Sequence, residues 1–357
     1  MPYYYSIKER SEEGKRTLEG LKRLRAQLDE DIPKRDLNDS FLLATWNIRE
    51  FDSSAYGLRS KEALQYIAEI ISRFDLVAVQ EVRSDLDAVD KLRNILGSWW
   101  ETIVSDVTEG TAGNSERMLY LYDSRKVRFG HLAGELVLPP ITTAGGESVP
   151  ARQVARTPFM CGFSCSWIRF IITTVHIIYG KDTADNPERV DEIRQIGSFL
   201  KKRADSSSAW SQNMILLGDF NIYRPEDQTM DAITSNGFVV PEQLQSLPSN
   251  AMKNKHYDQI AFRSRKRFAT TGEAGVFDYF RSVYREEDQA QYASSMGEAY
   301  NVTSKGDPRS DASKARYYKT YWRTHQMSDH LPMWLQLRCN FSEEYLKEKR
   351  KNAGLEV

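Results

Sequence analysis

Residues 41–47 read FLLATWN and residues 75–81 read DLVAVQE. Neither run alternates apolar with polar residues, and each is short, β-branched or aromatic, and closed by a polar side chain, which is the pattern of a strand buried on both faces. Between them, residues 61–74 carry apolar side chains at helical spacing. A strand, a covering helix and a second strand follow from this stretch, and the rest of the chain extends the theme. A helix is expected over residues 85–96 and strands over 99–104, 118–122, 159–164 and 168–176. A helix over 187–202 then leads into a strand at 213–217, with further strands at 257–262 and 331–338. Many strands with a few interspersed helices imply two packed sheets flanked by helices, because each sheet needs both faces covered.

The outer segments differ in composition. Residues 1–35 form a charged helical extension, with one helix expected over 6–31, a leucine stripe at Leu18, Leu21, Leu24 and Leu28, and a stop before Pro33. Such a helix docks on the body, or its narrow stripe serves a protein partner or self-association. The body spans residues 36–340 with an insertion at about 280–325, and residues 341–357 are a charged tail. Residues 286–313, rich in Ser, Asp, Gln and Gly, read as a mobile part of that insertion.

Lys and Arg number 49 against 50 Asp and Glu, so no whole-molecule field attracts a polyanion and any phosphate site is local. Cys161, Cys165 and Cys339 are too few for a disulfide framework or a zinc knuckle and read as buried thiols. The N-terminus has charges where a signal peptide needs an apolar run, and the longest apolar stretch, residues 170–179, is half a membrane span. A cytoplasmic protein without a membrane segment is the expectation.

Polar residues recur where apolar strands stop. Asn47 and Glu81 end the first two runs, His176 ends FIITTVH, Asp219 and Asn221 follow MILLG, and Asp329 and His330 open the last strand. Taken singly each is an ordinary turn residue or a half-buried histidine. Taken as an ordered set they present carboxylate and amide oxygens suited to a hard cation, magnesium or manganese, with no paired cysteines for zinc.

The motifs TWNIREFD (45–52), QEVRSD (80–85), ERMLYLY (116–122), RTPF (156–159), GDFN (218–221), YDQI (257–260) and SDHLP (328–332) occur in this order. In that order the chain resembles the endonuclease/exonuclease/phosphatase family, and most of all its deoxyribonuclease I-like branch, over residues 41–337. The resemblance implies an α+β fold, a four-layer α/β/β/α sandwich of two mixed sheets flanked by helices. It further implies a Mg2+-dependent phosphodiester hydrolase, with Mn2+ as substitute, cutting DNA and, as a further substrate, RNA. Asn47, Glu81 and Asp329 would hold the metal. Asp219 and Asn221 would sit at the nucleophile and scissile phosphate. His330 would pair with Asp258, and His176 with Glu116. Arg156 would contact phosphate, and Arg49 and Arg83 would face the nucleic-acid backbone.

The chain departs from the pattern in places. Asn114 and Met118 stand where the branch has two tyrosines, which bears on the grip on duplex DNA. TTVHIIYGKD (173–182) lacks the strand end typical of abasic-site nucleases, and KNKHYDQI (253–260) lacks the tryptophan motif of phosphoinositide phosphatases. A phosphatase or phosphodiesterase acting on an inositol phosphate or on sphingomyelin is the second reading, and a non-catalytic binding module of the same fold the third. Two further segments bear on substrate. RYYKTYWRTHQ (316–326) interleaves aromatic and basic residues, which suits stacked bases and phosphate contacts from Lys319 and Arg323, or simply a core. RSRKR (263–267) is a solvated turn or a phosphate-attracting run.

Overall fold

The computed structural model describes residues 2–51, 53, 58–109, 115–265 and 267–355; Asn114 and Lys266, on which two of the readings above fall, lie outside them. Helix α1 (Glu12–Asp31) starts later than its hydrophobic pattern implies, because the Ser11 hydroxyl accepts from Gly14 N at 3.0 Å and caps it there. Then follow β1 (Ser40–Phe51), α2 (Lys61–Ser72), β2 (Leu76–Arg83), α3 (Asp87–Leu96), β3 (Trp100–Val104), β4 (Glu116–Asp123) and β5 (Arg128–Glu135). A small hairpin, β6 (Ile141–Thr142) and β7 (Ser148–Val149), precedes β8 (Phe159–Cys165), β9 (Ile168–His176), α4 (Pro187–Asp205) and β10 (Met214–Asp219). The remainder is α5 (Gln228–Thr234), α6 (Glu242–Gln245), β11 (Asp258–Arg263), β12 (Thr270–Val276), α7 (Asp311–Tyr317), α8 (Arg323–Gln326), β13 (Met333–Arg338) and α9 (Ser342–Asn352).

One sheet has the order β12-β13-β1-β2-β4-β3 and the other β11-β10-β9-β8-β5. Each contains one parallel pair, β1 with β2 and β9 with β10, among antiparallel neighbours. The sheets pack face to face, and helices cover their outer faces, giving the four-layer α+β sandwich. Strand β1 shows why its run is apolar throughout: Phe41 and Leu43 enter the core between the sheets, while Leu42, Ala44 and Trp46 pack under the helices. The three cysteines are free and buried. Among the described residues no helix is long and apolar enough to cross a membrane.

Besides the small β6–β7 hairpin, two strands of the packed sheets escape the hydrophobic pattern, β5 and β12. Both lie at sheet edges and are mostly exposed or half-buried, so they lack the apolar face that betrays an inner strand.

The insertion is also built differently from its composition. Residues 286–313 form short helical turns held by aromatic anchors. Tyr284 and Tyr292 lie with ring centroids 4.8 Å apart, Tyr292 and Trp322 5.2 Å apart, and the Tyr292 hydroxyl donates to Glu62 Oε1 of α2 at 2.7 Å. A few aromatics far apart in sequence outweigh many polar neighbours.

Helix α1 docks on α2 and on this insertion. Leu21, Leu24 and Leu28 are buried, each contributing about 1.5–3 kcal/mol, whereas Leu18 is 42 % exposed and does not belong to the buried stripe. Arg16 pairs with the buried Glu62 at 2.8 Å, and Gln27 Nε2 donates to Asp278 O at 2.9 Å. Gly20 allows the approach to α2, since a Cβ there would stand 1.9 Å from the Tyr66 hydroxyl oxygen. Gly20→Ala is therefore expected to destabilise the protein despite the ~1 kcal/mol that alanine gains in a helix, because overpacking costs about 1–3 kcal/mol. A lower urea midpoint at unchanged slope is the expected reading; a raised midpoint would show that α1 does not pack this closely.

Candidate active site

The register of the second sheet sets three chemistry-bearing residues in a row. Asp219 at the end of β10 is paired with His176 at the end of β9 and with Asp258 at the start of β11. The strands approach closely here: Gly218 has φ +131°, and a Cβ on it would lie 2.1 Å from Val175 O, so only glycine fits this place in GDFN.

The first sheet supplies the opposing groups. Asn47, on the β1 face shared with Phe41 and Leu43, reaches across so that its Nδ2 donates to Asp219 Oδ2 at 3.0 Å and to Glu81 Oε1 at 2.8 Å. Strict alternation along β2 would carry Glu81 to the helix-covered face with Val77 and Val79. Its left-handed backbone, φ +61°, and the irregular register around it turn the carboxylate inward. Glu50 N donates to Glu81 Oε2 at 2.8 Å and holds it there.

Two histidine–carboxylate couples span the sheets. His176 Nδ1 donates to Glu116 Oε2 at 2.7 Å, and His330 Nδ1 donates to Asp258 Oδ2 at 2.8 Å. Each couple leaves Nε2 facing the same acceptor, Asp219 Oδ2, at 3.5 Å from His176 and 3.7 Å from His330. Burial works against a charge on His176, yet Glu116 and, after it, Asp219 outweigh both burial and the nearby Arg156, so its pKa lies above the ordinary histidine value. For His330 burial is likewise overcome, here by Asp258 and Asp219, and its pKa lies well above that value. Asn221, at φ +54°, donates from its backbone to Asp219 Oδ1 at 2.9 Å and from Nδ2 to Ile177 O at 2.8 Å.

The arginines are placed by ion pairs. Arg156 Nε stands 3.1 Å from Glu116 Oε2. Arg83 pairs with Glu50, and Arg49 Nη1 lies 2.7 Å from Thr324 Oγ1 and 3.6 Å from Asp329. Asp329 is at the rim, its side chain 45 % exposed. Lys319 pairs with Glu286, and Arg323 is buried with Nη1 donating to Tyr284 O, so Arg323 serves the insertion core and is not a phosphate contact. Met118, the residue after Glu116 and Arg117, is in the core between the sheets.

Asn47 Oδ1 is buried without a hydrogen-bond partner, beside the Glu81 carboxylate. These are hard oxygen donors. Among the described residues no three His, Cys, Asp or Glu side chains form a closed metal cage. A cation here would rest on Asn47 and Glu81, with Asp329 at the rim as the third expected ligand, and complete its shell from water and substrate phosphate, as magnesium commonly does.

Several supporting residues were not singled out by the sequence, although Ser328 opens the SDHLP motif. Ser328 Oγ donates to Asn47 O at 2.7 Å and accepts from His330 N at 3.0 Å, locking the His330 loop against β1. On α4, Glu192 accepts from Ala155 N and from Ile178 N, next to Arg156 and His176, and the fully buried Arg189 donates to the carbonyls of Ile178, Tyr179 and Thr183. Their one signal was charge at positions flanking the apolar stripe of Val190, Ile193 and Ile196.

The comparisons with known proteins bear on the family and the fold. The chain is 28 % identical over 197 residues to a Deoxyribonuclease of Thioalkalivibrio sp. (strain K90mix), covering 54 % of this chain and 48 % of that protein, so it spans about half the length of that relative. It is 26 % identical over 264 residues to Deoxyribonuclease-1 of Bos taurus, covering 69 % of this chain and 85 % of that one. Among solved structures, an endonuclease/exonuclease/phosphatase family protein from Bacteroides thetaiotaomicron superposes with a TM-score of 0.51 at 16 % identity, over 85 % of this chain and 99 % of that one. The model of the Endonuclease/Exonuclease/phosphatase family matches residues 44–239, a span that opens three residues before Asn47 and closes beyond Asn221, and the chain belongs to that family.

Proposed function

We propose that the protein is a metal-dependent endonuclease that hydrolyses phosphodiester bonds of DNA by in-line attack of water, and that RNA is a further substrate. The observation that carries this reading is the convergence of His176 Nε2, His330 Nε2 and Asn47 Nδ2 on the single oxygen Asp219 Oδ2. Family membership supports hydrolysis at a phosphodiester, and the two relatives named as deoxyribonucleases support DNA.

A phosphodiester resists hydrolysis because its anionic oxygens repel hydroxide, so the site must supply positive charge, a base for water and an acid for the leaving oxygen. Asp219, His330 and Asp258 form the group that activates water: the Asp219 carboxylate, on which both Nε2 atoms converge, orients the water and takes its proton, while Asp258 fixes the His330 ring and holds it as the imidazolium whose Nε2 faces Asp219. His176 Nε2 gives a proton to the leaving oxygen, its charged form favoured by Glu116. Arg156, held by Glu116, balances a non-bridging phosphate oxygen, and Asn221 holds the Asp219 turn in place. Asn47, Glu81 and Asp329 are the proposed ligands of Mg2+, with Mn2+ as substitute; when bound, the cation supplies further positive charge at the phosphate. Arg49 and Arg83 line the approach of the backbone.

Purified protein incubated with supercoiled plasmid is expected to nick it in magnesium or manganese and not in EDTA, and His330→Ala or His176→Ala should lower the rate by about 10²–10⁴. A plasmid left intact in both metals, with inositol phosphate or sphingomyelin hydrolysed instead, would move the substrate to small or lipid-linked phosphates. No hydrolysis of any of them would leave a binding module.

Glu116 is proposed to act through His176, so the two should not contribute independently. Glu116→Gln should cost rate in the wild type and little more in the His176→Ala background. Fully additive losses would contradict the couple.

A further inference from the structure

The segment that leads into Asp329 and His330 carries an aromatic face of its own. Helix α7, a π-helical turn at Tyr318–Trp322 and α8 run on without a break. One side of this rod is anchored: Tyr318 is buried and stacks with Trp322 at 5.9 Å. The other side bears Tyr317, Tyr321 and His325 at intervals of four. The Tyr317 and Tyr321 rings are stacked at 5.3 Å and 27°, and Tyr321 lies 4.5 Å from His325. Tyr321 is 42 % exposed. The ladder ends beside the rim of the candidate site, since Thr324 receives the Arg49 guanidinium, which also faces Asp329.

A groove of about 700 Å³ runs beside the outer rings, lined by Arg309, Arg316, Tyr317, Tyr321 and Glu298 among others, with two arginines against one carboxylate. The Arg309 guanidinium sits 4.8 Å from the centre of the Tyr317 ring. The volume suits a planar heterocycle with its sugar. Flat rings interleaved with cations are how proteins hold single strands, because every base has a π-face and every linker an anionic phosphate. In a duplex those faces are covered by neighbouring base pairs, so this surface has little to offer one.

We propose that Tyr317 and Tyr321 form a stacking platform for unpaired bases flanking the scissile phosphate, which makes single-stranded DNA the preferred form of substrate. This rests on the phosphodiesterase reading of the adjoining site. The occupant is a nucleic-acid strand and not a protein: the groove is cationic, and Thr324, three residues beyond Tyr321 on the same rod, receives Arg49 of the proposed phosphate approach.

The test compares wild type, Tyr321→Ala and Tyr321→Phe on a single-stranded oligonucleotide, on the same sequence as a hairpin duplex, and on bis(4-nitrophenyl) phosphate. Tyr321 is exposed on a helix, where alanine is well tolerated. Tyr321→Ala is expected to weaken single-strand kcat/KM roughly tenfold through KM, with Tyr321→Phe close to wild type. Duplex and small-ester hydrolysis should be unchanged. The salt dependence of single-strand binding, read by fluorescence anisotropy, should keep its slope, since no phosphate contact is lost. Equal loss on all three substrates, or no loss on the single strand, overturns the proposal. If the wild type fails to hydrolyse even the small ester, the phosphodiesterase reading falls, and the anisotropy comparison still decides whether Tyr321 binds single strands. Single-strand binding that is indifferent to Tyr321→Ala rejects the platform and leaves the face to a protein partner.

Discussion

Two sheets packed face to face stand about 10 Å apart, and that spacing lets side chains as short as Asn and Asp meet across it. The contacts that build the site cross the gap. Asn47 reaches Asp219 at 3.0 Å, His176 reaches Glu116 at 2.7 Å and His330 reaches Asp258 at 2.8 Å. Deeper in, Gln80 donates to Thr174 at 2.7 Å, Phe41 stacks on Phe170 at 5.3 Å, and the Tyr120 hydroxyl donates to Phe159 O at 2.8 Å. The apolar layer sets the distance and the polar layer above it uses it. A close-packed core deforms little, so the geometry of the couples is inherited from residues that take no part in them.

The same arrangement explains why the site favours charged histidines. Glu116, Asp219 and Asp258 are buried together, and an uncompensated buried charge costs several kcal/mol. Arg156 and the two imidazoles are the compensating groups nearby. Stability alone would be served better by apolar residues of similar volume at these positions. A cluster of buried acids is a site arranged for chemistry, and the unpartnered Asn47 Oδ1 in its midst belongs to the same arrangement.

The extension and the insertion act as one brace on the His330 loop. Gln27 of α1 binds the backbone at Asp278 and the side chain of Ser282, and the neighbouring Tyr279 hydroxyl donates to the carbonyls of Ser328 and His330. Trp46 of β1 donates to the same His330 carbonyl at 3.0 Å. Segments outside the family's matched span thus reach the backbone that aims a proposed catalytic histidine.

The sequence by itself determined the inner strands, the covering helices and the polar residue closing each strand, because a strand buried on both faces leaves a continuous apolar record and the residue that ends it stands out. Ordered motifs such as GDFN and SDHLP were legible for the same reason: they lie at fixed offsets from those strands. Apart from the two histidine–carboxylate couples, which the family resemblance implied, only the tertiary structure decided which polar residue meets which. The reach of Asn47 to Asp219, the inward turn of Glu81 at a left-handed residue, and the supporting roles of Ser328, Glu192 and Arg189 depend on contacts between distant segments. So did the edge strands β5 and β12, whose identity comes from a neighbour's hydrogen bonds, and the ordered insertion, whose aromatics find α2 more than two hundred residues away in the chain. Local pattern records what a residue is buried from; it does not record what it is buried against.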